Sequence, residues 1–163
     1  MNRDIRHAGV LAIALVALLV SLSPAAVAAQ CSNTTVAGSW GLTLTGSLLL
    51  PTGPVLGAAV GTLNADSAGN VTGAEARNVG GGFANETLVG SWTVNPDCTG
   101  VLTANIYESG VLIRTSVLSL VFDQNSTEVR MVQQSLTLPD GTAIPVVVTV
   151  QGKKMFSSGG DEQ

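Results

Sequence analysis

Two stretches decide the fold: "VAGSWGLTLTG", from Val36 to Gly46, and "LVGSWTVNPDCTG", from Leu88 to Gly100. Each opens an alternating run with Gly-Ser-Trp. In the first, Trp40, Leu42, Leu44, Leu48 and Leu50 share one face with Gly46, while Ser39, Thr43, Thr45 and Ser47 take the other. In the second, Leu88, Trp92 and Val94 share a face, and Leu112, Leu118, Leu120 and Phe122 do the same further on. A period of two marks a β-strand with one buried side, because successive side chains point to opposite faces. These apolar faces are expected to point inward.

Working outward, no stretch beyond the N-terminal segment has a helical period. Clusters of Gly, Asn, Asp and Pro divide the chain into eight expected strands, at 37–50, 55–65, 70–79, 83–95, 100–108, 111–122, 127–138 and 142–151. The separators, "PTGP", "DSAGN", "GGG", "PDCT", "ESG", "DQNS" and "PDG", are of hairpin length, and their glycines supply the positive φ of tight turns. Consecutive hairpins imply an up-and-down antiparallel order. An open sheet of this size leaves two edges bare, and closure removes both. The expected fold is an all-β, eight-stranded antiparallel barrel. If the first strand runs up, the fourth runs down, so the turn after it lies beside the start of the first. Cys31 precedes the first strand and Cys98 lies in that turn, so a Cys31–Cys98 disulfide fits the topology. Both Gly-Ser-Trp segments then lie toward that end.

The N-terminus has a different grammar. "MNRDIRHAG" carries Arg3 and Arg6, "VLAIALVALLVSL" is apolar throughout, and "SPAAVAAQ" is rich in small residues. That is the layout of a secretory signal peptide, and the apolar run falls short of the roughly 20 residues that span a bilayer. The expected organisation is a signal peptide over 1–29, a barrel domain over 30–152 and a C-terminal tail over 153–163. The protein is expected to be secreted or periplasmic, where a disulfide persists.

Charge and composition narrow the function. Without the signal segment, five basic and ten acidic residues remain, a formal net charge of −5. Nucleic acid is not an expected partner, since it demands Lys/Arg clusters; membrane insertion is not expected either. The one histidine, His7, lies in the signal segment. The exported chain therefore lacks Ser-His-Asp and Cys-His nucleophilic sites and the usual zinc, copper or haem ligands. No metal, no cofactor and no catalytic residue are expected. "GGGF" (Gly80–Phe83) precedes no Gly-Lys-Ser/Thr, and "NADSAGN" (Asn64–Asn70) lacks the acids of a calcium loop, so both read as turns.

An eight-stranded barrel is either filled by its own side chains or holds one small ligand. Strands two and three are small on both faces (Gly57, Ala58, Ala59, Gly61, Gly73, Ala74, Ala76), which leaves space beside Trp40, Trp92 and Leu118. Alternation places Arg114 with Leu118, Glu108 with Leu102 and Ile106, and Glu86 with Leu88 and Trp92. All three charges fall near the upper turns, and an inward charge needs a partner, so an Arg114–Glu86 or Arg114–Glu108 contact is expected. The candidate ligand-binding residues are Trp40, Trp92, Glu86, Glu108, Arg114 and Leu118. Two functions follow: a non-catalytic binding module for a small, largely apolar molecule, or a structural or adhesive envelope protein with a solid barrel.

Gly38-Ser39-Trp40 resembles the opening Gly-x-Trp of lipocalins and related calycin barrels, avidins among them. That resemblance implies a Trp at the closed end of an eight-stranded barrel. The lipocalin Thr-Asp-Tyr keeps only its Asp here, in Phe122-Asp123-Gln124, and Lys153 or Lys154 stands where an Arg is usual. The chain is also similar to small secreted bacterial barrels, a likeness that implies no activity.

Overall fold

The computed structural model describes residues 30–123 and 125–155, so the expected signal peptide and most of the expected tail lie outside the described residues. A single helical turn, α1 (Asn33–Val36), precedes eight strands: β1 (Gly38–Leu50), β2 (Gly53–Ala65), β3 (Asn70–Val79), β4 (Gly82–Val94), β5 (Thr99–Glu108), β6 (Val111–Phe122), β7 (Glu128–Thr137) and β8 (Val146–Lys154). They form a closed barrel in chain order, every pair antiparallel, with β8 zipped onto β1 from Trp40↔Lys154 to Leu48↔Val146. The fold expected from alternation and turn spacing is the fold observed. No helix among the described residues is long and apolar enough to cross a membrane.

The lower end is packed solid. Trp40, Trp92 and Phe122 meet there with ring centroids 5.4–6.1 Å apart in tilted and edge-on pairs, the geometry that aromatic quadrupoles favour. The fully buried Val36 packs in this cluster, and its carbonyl accepts a 3.0 Å hydrogen bond from Trp40 Nε1. Ser32 caps α1 reciprocally with Thr35. Asn33 then ties two turns together: its Nδ2 donates to Ala68 O, and its Oδ1 accepts from Val94 N. Cys31 and Cys98 are joined with their Cα atoms 4.9 Å apart. That bond sits where strand parity places it.

Two β-bulges depart from simple alternation. Between β5 and β6 the register passes from Ile106↔Arg114 to Tyr107↔Leu112, so Ile113 is the extra residue. A bulge residue shifts the facing of everything beyond it. Leu112, expected inward, therefore pairs with Tyr107 on the outer face, while Ile113 and Arg114 both line the interior. Between β6 and β7 the register passes from Val117↔Ser135 to Leu118↔Gln133, which leaves Gln134 extra and turns Leu136 inward.

The last strand also differs from expectation. It starts at Val146 rather than at 142, because Leu138–Pro145 form a folded connection closed by hydrogen bonds from Leu138 N to Thr142 O and from Ile144 N to Leu136 O. Pro145 has no N–H for a ladder and instead accepts from Leu49 N at 2.8 Å. At the other end β8 runs on to Lys154, so Lys153 and Lys154 belong to the barrel. The β7–β8 ladder covers only Glu128↔Lys153 to Val132↔Thr149, and the seam above it is spanned by the connection.

Candidate functional site

Small residues, Gly46, Gly57, Ala58 and Ala59, line the upper half of the barrel. At Gly46 an added Cβ would stand 2.7 Å from Val148 Cα, and at Gly61 it would stand 2.9 Å from Glu75 Cβ. Neither position has room for a side chain, so the walls approach closely there and Glu75 has space to turn inward. The result is a cavity of about 480 Å³ at the end opposite the disulfide, within the range of small-molecule sites. Leu44, Leu48, Val79, Ile113, Leu136 and Val148 supply apolar walls. Leu138 and Ile144 bring the β7–β8 connection against it.

Its polar side is a network of five charged residues from four strands. Glu75 on β3 stands directly opposite Glu86 on β4. Arg114, on β6, reaches past β5 and places Nη2 2.7 Å from both Glu75 Oε1 and Glu86 Oε2. The contact to Glu75 is a directed hydrogen bond; that to Glu86 is ionic, leaving Oε2 without a hydrogen bond. Arg77 Nε donates to Glu86 Oε1, and its Nη2 lies 3.5 Å from Glu108 Oε2. The Glu86 side chain is fully buried and Glu75 nearly so, while Arg114 and Arg77 keep 18% and 23% of their side-chain surface. Both guanidiniums and Glu75 line the cavity, and Glu86 lies behind them.

Burial shapes the titration of the opposed pair. Desolvation pushes the Glu75 carboxyl above the usual carboxylate range, overriding the Arg114 charge, and Glu86 reinforces the shift. Desolvation acts on Glu86 too, but Arg114 and Arg77 outweigh it and hold Glu86 below that range. Opposed carboxylates whose pKa values are driven apart titrate as a pair, in which a shared proton favours Glu75 over Glu86.

Of the sequence-level candidates, Glu86, Glu108 and Arg114 come together in this network. Glu108 and Arg114 line the cavity; Glu86 lies beneath them. Trp40, Trp92 and Leu118 are buried in the packed core and do not line the cavity. Glu75, Arg77 and Gln133 join the site without having been singled out. Strands β2 and β3 carry Gly and Ala on both faces, so alternation leaves their facing open. The separation of Glu75 and Arg77 by two on one strand puts both on one face without saying which face is inside.

No family model matches the chain, and none of the curated proteins does. Among solved structures the chain is similar to a redesigned β-barrel, mFAP1, bound to DFHBI, with TM-score 0.46, 18% identity and coverage of 75% of this chain and 97% of that one. It is also similar to the S-type phycobiliprotein lyase CPES from Guillardia theta, with TM-score 0.44, 9% identity and coverage of 77% and 91%.

Proposed function

We propose that the protein is an exported, non-catalytic binding module that holds one small, largely apolar molecule in the upper cavity. One observation carries this: a barrel packed solid at the disulfide end encloses about 480 Å³ with aliphatic walls and a polar cluster at the other. A binding site of this kind buries an apolar body and orients it with a few polar groups. Arg114 and Glu108 touch the ligand, Glu86 holds Arg114 and Arg77 in place from beneath, and Trp40, Trp92 and Leu118 close the barrel. The N-terminal charge-and-apolar pattern and the Cys31–Cys98 bond support a secreted or periplasmic location. The solid-barrel alternative fits only the lower half.

Filling the cavity tests the reading. Ala59 lines it and is buried, so Ala59→Phe, or the milder Ala59→Leu, occupies the ligand's volume. A thermal-shift screen of apolar compounds should find ligands that raise the melting point of the wild-type protein but of neither variant, with near-native circular dichroism throughout. Equal shifts in all three proteins place binding outside the cavity and overturn the reading.

A further inference from the structure

Resting on the cavity as a ligand site, a count of its charges points to the kind of head group it takes. Three carboxyl groups and two guanidiniums meet at the polar end. Each guanidinium already serves two carboxylates, Arg114 between Glu75 and Glu86 and Arg77 between Glu86 and Glu108. The other walls near Glu75 bring no charge: Leu44 from β1, Gly61 opposite it on β2, Gln133 from β7 and Val148 from β8. All positive charge is spent, since three carboxyl groups stand against two guanidiniums that each already serve two of them, and burial favours a proton on the surplus carboxyl, Glu75. The floor therefore holds no unpaired positive charge.

Its hydrogen bonding is not saturated in the same way. Arg114 engages carboxylates through Nη2 alone, and Arg77 through Nε and Nη2. Arg114 Nε and Nη1 and Arg77 Nη1 donate to no described residue. A guanidinium carries five donors and no acceptor, so the cavity offers donors in excess with no net positive charge behind them.

We propose that the cavity selects an uncharged apolar molecule ending in a hydrogen-bond acceptor, a ketone, ester or amide carbonyl, and discriminates against amphiphiles with a carboxylate or ammonium head. The carbonyl oxygen takes the spare guanidinium N–H groups and leaves the charge balance intact. A carboxylate adds a negative charge to a compartment whose cations are already paired, and an ammonium has to displace Arg77 or Arg114 from carboxylates they already hold; both are penalised in a poorly solvated site.

Three probes with one chain separate the cases. Isothermal titration of the purified protein at pH 7 with methyl decanoate, decanoate and decylamine should show the ester binding about tenfold or more tighter than either ion. Decanoate or decylamine binding as tightly as the ester overturns this inference and leaves the ligand-binding reading standing. Absence of heat with all three overturns both.

Discussion

Arg114 is the residue on which the charged network turns, because it is the shared partner of Glu75 and Glu86. Arg114→Leu leaves Glu75 with no cationic partner and Glu86 with Arg77 alone, and should cost about 3 kcal/mol in chemical denaturation, the scale of breaking a buried pair. Arg114→Lys should recover less than half, since an ammonium is more strongly hydrated than a guanidinium and is costlier to bury between the two carboxyl groups. Glu75 gives a pH signature. Its folded pKa is raised, so between the ordinary value and the raised one the folded protein binds more proton than the unfolded chain, and stability falls as pH rises. Glu75→Gln removes that loss, and melting curves of the two proteins should diverge above the ordinary carboxylate range. A variant whose pH profile parallels wild type contradicts the shared-proton picture. Arg114, Glu86 and Glu108 were legible because leucines and tryptophans on the same strands fix which face is inside. Glu75 and Arg77 were not, for their neighbours Ala74, Ala76 and Gly73 say nothing about facing.

At the scale of elements, turns and strand order were readable and bulges were not. Gly and Asn at hairpin spacing declare themselves, whereas an extra residue such as Ile113 is one more apolar side chain in an apolar run, placed by barrel curvature. The consequence is concentrated at the cavity, since both bulges lie in its walls. The disulfide belongs to this scale as well, pinning the α1 segment to the β4–β5 turn across a sequence separation of 67. Replacing both Cys31 and Cys98 with Ser should lower stability by roughly 4 kcal/mol in the chain-entropy picture. Since the bond lies at the packed end, ligand affinity measured below the lowered melting point should stay within about threefold of wild type. A large loss of affinity contradicts the separation of the two ends. The turn aspartates act together: Asp66, held low chiefly by the Asn70 side chain, Asp97 by Thr99, Asp123 by the Glu128 amide and Asp140 by the Thr142 amide. Their folded pKa values lie below the unfolded ones, so their stabilisation is present above the ordinary aspartate range and is lost as pH falls through the lowered values. Acid should therefore open the turns, seen as loss of amide protection at Ala68, Thr99 and Thr127 before the centre of β5.

The described residues form a barrel with two unlike halves: below, tryptophans and a helical turn sealed by a disulfide; above, aliphatic walls around a cluster of paired charges. That division is the central claim, and amide and side-chain nitrogen–proton spectra of the labelled protein titrated with methyl decanoate test it most directly. The predicted result is a set of shifts confined to Gly57, Ala59, Ile113 and the Arg114 Nε–H, with the Trp40 and Trp92 indole signals unmoved. Shifts centred on the two indoles, with the Arg114 signal unchanged, would contradict it.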